Sequence, residues 1–174
     1  LAGKMAASYV RGIQKNGISA CLKHFAANNQ ETRRMVNESV IDERALREIY
    51  LTGFEIAVKE GGAKTIMSSY NLLNGQFTNE NVHLMKEILR DEWGYEGVVV
   101  TDWGADNNHT DGVKAGSNLV MPAPGADCAL GLLKDLEEGN IEESVLDARL
   151  AELLGVVNST TEAVAKAPKT FDLD

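Results

Sequence analysis

Cysteine and histidine are scarce in this chain of 174 residues, which contains two cysteines and three histidines. Cys21 and Cys128 are too few for a disulfide framework, and neither belongs to a C-x-x-C pair. The histidines show no paired ligand spacing, so we expect neither a structural zinc site nor another metal centre. No apolar run approaches the roughly 18 residues that a membrane-spanning helix needs, so no membrane partner is expected.

Positive charge is also in short supply, because 17 Lys and Arg face 26 Asp and Glu for a net charge of −9. This balance provides no basic surface for nucleic acid and little attraction to anionic lipid. The motifs G-x-G-x-x-G after a strand, G-x-x-x-x-G-K-[ST] and G-x-S-x-G are absent. Their absence argues against the common nucleotide-binding loops and a serine nucleophile elbow. The content of 44% hydrophobic and 25% charged residues is typical of a globular domain.

Strand and helix patterns alternate along the chain. The clearest strand is 97–101, because its residues GVVVT are mostly β-branched and uncharged. Helices are predicted over 3–16, 42–60, 79–93, 127–138 and 140–157, and strands over 18–25, 64–70, 97–101 and, more weakly, 118–121. This alternation predicts a parallel α/β sheet, either open and doubly wound or part of a (β/α)8 barrel. A full barrel needs roughly 250 residues, so the chain has room for only about half of one.

Functional residues of parallel α/β proteins gather at the carboxyl ends of the strands. Lys23 and His24 close the first predicted strand, and Tyr70 closes the second. Asp102 and Trp103 follow the third. Together they offer hydrogen-bond donors, acceptors and an apolar wall, a mixture that suits a polyhydroxylated neutral ligand such as a sugar. Each also has a structural interpretation: Asp102 as a turn former or helix cap, Trp103 as part of the core, and the others as ordinary loop or rim residues.

Five longer segments follow one another between residues 17 and 122. They are KHFAANNQE from residue 23, DERALREIYL from 42, MSSYNLLNG from 67, LRDEWGYEGVVVTDWGA from 89 and KAGSNLVMP from 114. In this order they resemble glycoside hydrolase family 3, the β-glucosidase group. The resemblance implies that residues 1–157 form the second half, roughly strands five to eight, of the family's (β/α)8 barrel, with 158–174 as a linker or tail. The chain departs from the family at Asn118 and Val120, where acidic residues are common.

By this resemblance, Asp102 is the nucleophile of a retaining glycosidase, which forms a covalent glycosyl-enzyme intermediate. Lys23 and His24 match the pair that holds hydroxyl groups of the sugar. Tyr70 matches a tyrosine that hydrogen-bonds near the nucleophile, and Trp103 matches the aromatic residue beside it. We expect a nearby Lys23 to favour the ionised carboxylate of Asp102. The reaction needs no metal or organic cofactor.

The resemblance also implies partners for the chain. The substrate is a β-glycoside or an oligosaccharide, and the acid/base residue of the family usually comes from a later domain, so the isolated chain should hydrolyse little or nothing. A half barrel exposes unpaired sheet edges, so the missing barrel half and C-terminal domain of a parent protein, or a second copy of the chain, should bind there. The start at Leu1, already inside a helical pattern, indicates a fragment or a processed product. A non-catalytic carbohydrate-binding or structural module and an unrelated open α/β binding module are the alternatives.

Overall fold

A computed structural model describes residues 1–167, in which helices alternate with short strands. The helices are α1 (Ala2–Gln14), α2 (the consecutive segments Glu43–Ala45, Leu46–Leu51 and Thr52–Lys59), α3 (His83–Glu92), α4 (His109–Ala115), α5 (Ala126–Glu137) and α6 (Glu143–Lys166). The strands are β1 (Cys21–Phe25), β2 (Glu38–Ser39), β3 (Thr65–Ser68), β4 (Leu72–Leu73), β5 (Gln76–Phe77) and β6 (Val98–Val100). Within this part of the chain, every helix is too short or too polar to cross a membrane.

The main sheet is parallel and has the order β1–β3–β6. Strands that follow one another in the chain, with a helix between them, are therefore neighbours in the sheet. This consecutive order is that of a (β/α) barrel, whereas an open doubly wound sheet reverses its order at a switch point. The weaker strand predicted over 118–121 is reduced to a single parallel bridge between Val100 and Leu119.

The helices cover one face of this sheet, and the core lies between the two layers. Phe25, Ile66 and Val99 point into it from β1, β3 and β6 and are fully buried. The helices contribute Leu46, Leu51, Leu84, Met85, Ile88 and Leu89. Each such side chain contributes about 1.5–3 kcal/mol on burial. Thr65, Met67 and Val100 alternate with the core residues of β3 and β6 and are half-buried, as is expected for the inner wall of a barrel.

A second, small sheet follows the main one at the end of β3. The strands β4 and β5 form a hairpin, and its turn is Asn74-Gly75 with φ values of 51° and 91°. Two consecutive positive φ angles are what a tight two-residue hairpin turn requires, which explains the Asn-Gly pair. The strand β2 adds to β4 in parallel. This sheet was not predicted from the sequence, and it holds the segments that follow β1 and β3.

The end of α6 corrects one prediction. The sequence pattern predicts a final helix that stops at residue 157, but the helix continues to Lys166, so residues 158–166 are helical instead of forming a linker or tail. The hydroxyl groups of Ser159 and Thr160 both donate to the carbonyl of Val156, so these polar residues are accommodated within the helix. The rest of the predicted tail, 168–174, lies outside the described residues.

Candidate active site

The carboxyl ends of β1 and β3 are tied together by buried polar side chains. The Ser69 hydroxyl donates to the carbonyl of Ala26 at 3.0 Å, and the Asn71 amide donates to the same carbonyl at 3.3 Å. Both side chains are fully buried, where a hydrogen bond is costly to lose. Tyr70 lies between these two anchors in the chain, so its backbone is fixed relative to β1.

The backbone after β6 is held in a similar way. The N–H of Thr101 donates to the carbonyl of Leu119, and the N–H of Met121 donates to the hydroxyl of Thr101, both at 2.9 Å. The N–H of Gly104 donates to the carbonyl of Met121 at 2.9 Å. The segment that contains Asp102 is therefore bracketed by hydrogen bonds to 119–121, the region that the sequence analysis predicts as a weak strand.

The two carboxylate oxygens of Asp102 make different contacts. Its Oδ1 accepts the N–H of Trp103 at 2.8 Å, and its Oδ2 lies 3.4 Å from Nε2 of His24. The side chain is 13% exposed, so it is partly desolvated but reachable. Asp102 also forms a turn, because its carbonyl accepts the N–H of Ala105, but the cap of the next helix α4 is Asn108. The helix-cap alternative for Asp102 is therefore wrong.

Tyr70 lies beside this carboxylate and is buried. Its hydroxyl donates to the carbonyl of Trp103 at 2.9 Å. Burial, and then the negative charge of Asp102, raise the pKa of Tyr70 above its usual value. The phenol is therefore held in its protonated form, as a hydrogen-bond donor at the edge of the carboxylate.

Arg34 is a neighbour of the site that the sequence analysis does not single out. Its guanidinium lies over the ring of Tyr70, 4.9 Å from the ring centroid, and also pairs with Glu31 at 3.2 Å. A cation over an aromatic face is favourable by about 0.5–1 kcal/mol at an exposed position. The one signal in the sequence was the pair Arg33-Arg34 on the loop that follows a predicted strand end.

Lys23 and Trp103 are the more exposed of the predicted site residues. Lys23 is exposed, and within residues 1–167 the side-chain nitrogen that lies near the carboxylate of Asp102 belongs to His24 instead of Lys23. Trp103 is 52% exposed, which excludes the alternative that it belongs to the core. The structure thus groups His24, Tyr70, Asp102 and Trp103 closely, with Lys23 one residue from His24 on β1.

A further cavity lies away from these groups. It measures about 610 Å³ and lies near the amino ends of β3 and β6, among Gly62, Lys64 and Gly97. Parallel α/β proteins use the carboxyl ends of their strands for chemistry, so the strand-end groups and not this cavity form the candidate site.

The sheet has the strand order of a barrel and is covered by helices on one face. At its carboxyl edge it carries a carboxylate, an imidazole, a phenol and an indole. These features place the chain in the class of (β/α)-barrel domains. The chain is, more specifically, a member of glycosyl hydrolase family 3, because the model of the family's N-terminal domain matches residues 1–156. The family prediction and the partial barrel fold are confirmed.

Relatives and solved structures agree with this assignment. The chain is 43% identical over 157 residues to thermostable beta-glucosidase B of Acetivibrio thermocellus, covering 90% of the chain and 21% of that protein. It is 42% identical over 174 residues to an exo-alpha-(1->6)-L-arabinopyranosidase of Bifidobacterium breve, covering 100% of the chain and 23% of the relative. The structure of beta-glucosidase 3B from Thermotoga neapolitana in complex with alpha-D-glucose superposes with a TM-score of 0.88 at 44% identity, covering 94% of the chain and 24% of that structure. The chain thus spans less than a quarter of the length of each of these proteins.

Proposed function

We propose that this chain provides the nucleophile side of the active site of a retaining β-glycosidase that acts on terminal β-D-glycosyl residues. The observation that supports this most is the position of Asp102 at the carboxyl edge of the sheet, between His24 and Tyr70. A carboxylate in such a place, in a chain of this family, suits nucleophilic catalysis better than a capping role.

In the proposed reaction, a carboxylate oxygen of Asp102 forms a bond to the anomeric carbon while the bond from that carbon to the glycosidic oxygen breaks. A second carboxyl group, about 5–5.5 Å away in retaining enzymes, protonates the leaving oxygen. The same group then takes a proton from water, which attacks the glycosyl ester and releases Asp102. Because the Trp103 N–H holds one oxygen of Asp102, the other remains available for the attack.

The neighbouring side chains have supporting roles in this proposal. His24 and Lys23 bind hydroxyl groups of the sugar, and the 3.4 Å contact of His24 with Asp102 is long enough to be exchanged for a contact with a hydroxyl. Tyr70 stays protonated and supports the segment of Asp102 through the carbonyl of Trp103. The exposed indole of Trp103 offers an apolar wall to a sugar ring.

The second carboxyl group is proposed to come from a part of a longer protein. The chain covers 21–24% of its relatives and structural neighbours, so most of the length of such a protein lies outside the segment that this chain matches. The isolated chain should therefore hydrolyse little or no glycoside, and activity should require a protein that contains the remaining segments.

The nucleophile is tested by trapping. A full-length protein that contains this chain is treated with a 2-fluoro glycoside that has a reactive leaving group. The fluorine slows both formation and hydrolysis of the glycosyl-enzyme, and the leaving group speeds only its formation, so the intermediate accumulates. Peptide mass spectrometry should locate the sugar ester on Asp102. As a matched control, Asp91→Asn removes a surface carboxylate that pairs with Lys86, and it should leave the labelling unchanged.

Three outcomes contradict the proposal. Labelling at another carboxylate would assign the nucleophile elsewhere. Turnover without any label would exclude the covalent mechanism. Sugar binding without any hydrolysis by the complete protein would support the non-catalytic carbohydrate-binding alternative.

We further propose that the open edge of β1 binds the complementary part of the barrel or, when the chain is alone, a second copy. The strand β1 pairs with β3 on one side, and beside it lies a groove of about 240 Å³ lined by Leu22, Ile49 and Phe54. Ile49 is largely exposed, and an unpaired edge next to apolar side chains favours strand pairing. Light scattering after size-exclusion chromatography should give about twice the 18.9 kDa chain mass. A stable monomer would refute self-association.

A further inference from the structure

A cluster of three different side chains lies in the loops after β6. Asp106 belongs to the loop that begins at Asp102, His109 starts α4 and Cys128 lies in the first turn of α5. The Oδ2 atom of Asp106 is 3.3 Å from Nδ1 of His109 and 3.7 Å from Sγ of Cys128. The oxygen, nitrogen and sulfur atoms of the three side chains all lie within 4.8 Å of one another.

Part of the hydrogen-bonding capacity of this cluster is not used among residues 1–167. The side chain of Asp106 is only 5% exposed, yet its Oδ1 atom is buried without a partner among residues 1–167. The Nδ1 atom of His109 is likewise buried, and its contact with Asp106 does not have hydrogen-bond geometry. A buried carboxylate with an oxygen that lacks a partner is costly, and buried carboxylates in proteins are usually paired or coordinate a metal.

The surroundings add negative charge. Burial, followed by the charges of Asp106 and Asp111, raises the pKa of Glu80, whose carboxylate accepts the N–H groups of Asn107 and Asn108. A divalent cation next to Asp106 would relieve this repulsion between neighbouring carboxylates.

We propose that Asp106, His109 and Cys128 form a zinc-binding site, with a fourth position open to water or to a ligand. A mixed oxygen, nitrogen and sulfur donor set suits Zn²⁺, and three protein ligands with one open position are common for this ion. With ordinary zinc bond lengths, tetrahedral ligand atoms lie about 3.3 Å apart for oxygen and nitrogen and about 3.5 Å for oxygen and sulfur. The observed separations of 3.3 and 3.7 Å for the two pairs that include Asp106 are close to these values, and the ligand atoms of the third pair, His109 and Cys128, lie within 4.8 Å of each other.

Binding of the ion breaks the S–H bond of Cys128, forms a zinc–sulfur bond and releases the proton to solvent. Without metal, the thiol of Cys128 donates to Asp106. No zinc site was expected from the sequence because the histidines show no paired ligand spacing and neither cysteine belongs to a C-x-x-C pair. Asp106 and His109 are close in the sequence, whereas Cys128 lies 19 residues beyond His109. The proposal is independent of the role of Asp102.

The test uses the full chain freed of metal with a chelator and then titrated with Zn²⁺ in competition with a chromophoric chelator. Co²⁺ serves as a spectroscopic substitute, since a thiolate ligand adds a sulfur-to-cobalt charge-transfer band. We expect about one equivalent of metal per chain and a tetrahedral, thiolate-containing cobalt spectrum. Each of Cys128→Ser, His109→Gln and Asp106→Asn should weaken binding by at least about tenfold, and Cys128→Ser should also remove the charge-transfer band.

Two matched variants serve as controls. Cys21→Ser removes the other cysteine and His83→Gln removes a histidine on α3, and both should leave affinity and spectrum unchanged. Circular dichroism of each variant establishes that it remains folded. The proposal is overturned if the folded parent chain binds no stoichiometric metal, if its cobalt spectrum lacks the thiolate band, or if Cys21→Ser, instead of Cys128→Ser, abolishes that band.

Discussion

Asp102 and Arg90, two polar residues on either side of β6, differ in the number of hydrogen bonds that hold their side chains. Past the carboxyl end of the strand, Asp102 has one firm hydrogen bond, at 2.8 Å, and one loose contact of 3.4 Å. On the helix side, the Arg90 guanidinium donates to Glu152 at 2.9 Å, to the carbonyl of Gly116 at 2.6 Å and to Asn118 at 3.0 Å. A group with spare bonding capacity can exchange a contact for a ligand at little cost, whereas a buried group held by several hydrogen bonds stabilises the fold.

The hydrogen-bonded cluster around Arg90 also explains why Asn118 departs from the pattern that the family resemblance predicts. Asn118 stands where acidic residues are common, and its amide has two functions: Oδ1 accepts the N–H of Val99 at 2.7 Å, and Nδ2 donates to Glu152 at 2.7 Å. Glu152 therefore supplies the negative charge that Arg90 requires. A neutral Asn118 is compatible with a buried arginine because α6 brings a carboxylate to the same place.

The largest effect should come from substitution of Asp102, whose side chain has the looser contacts. We expect Asp102→Asn to lower kcat/KM of a complete protein at least about a thousandfold, because the amide is a poor nucleophile. The free energy of unfolding should change by less than about 1 kcal/mol, since the new Oδ1 can still accept the N–H of Trp103. Steady-state kinetics and urea unfolding measure the two quantities. A large loss of stability with retained activity would contradict the view that Asp102 serves activity and not stability.

Arg90, which several hydrogen bonds hold in place, should behave in the opposite way. Arg90 is 8% exposed, and burial lowers its pKa to about 10, so it remains charged at neutral pH. Arg90→Met should reduce the free energy of unfolding by about 3–5 kcal/mol, because Glu152 and Asn118 then lose a buried partner.

The matched control for Arg90 is Arg47→Met, which removes an arginine that pairs with Glu92 at the surface. Its cost should stay below about 1 kcal/mol, as for other exposed ion pairs. Urea unfolding of both variants provides the comparison. Equal costs at the two positions would show that burial of Arg90 adds nothing.

A smaller effect is expected at Tyr70, which supports Asp102 indirectly. Tyr70→Phe removes the hydrogen bond to the carbonyl of Trp103 and should lower kcat/KM about tenfold, equivalent to about 1.4 kcal/mol. Tyr9→Phe changes an exposed tyrosine and should have no effect on the same kinetic assay. An unchanged rate for Tyr70→Phe would remove Tyr70 from the proposed site.

Local patterns in the sequence predicted the elements but not the contacts between distant segments. The run of β-branched residues before Asp102 predicted β6, and the strand-end rule predicted which loops carry Tyr70 and Asp102. The position of Arg34 over Tyr70 depends on how a loop folds back, which no periodicity encodes. The Asn74-Gly75 turn was a local signal that the sequence analysis overlooked. The length of α6 was missed because Ser and Thr residues, unfavourable by propensity, bond their own helix carbonyls.

The smallest effect is expected for a surface cluster around His83. His83 at the start of α3 contacts Glu87 and Glu43, and the hydrogen bond to Glu87, followed by that to Glu43, raises the pKa of the imidazole. A raised pKa in the folded state means that the stabilisation is fully present below the unfolded value of about 6.5 and is lost as pH rises through the higher folded value. Because His83 is exposed, the gain should be only a few tenths of a kcal/mol. Urea unfolding of the chain and of His83→Gln should therefore differ at acidic pH and converge above neutrality, whereas a difference that grows with pH would contradict the assignment.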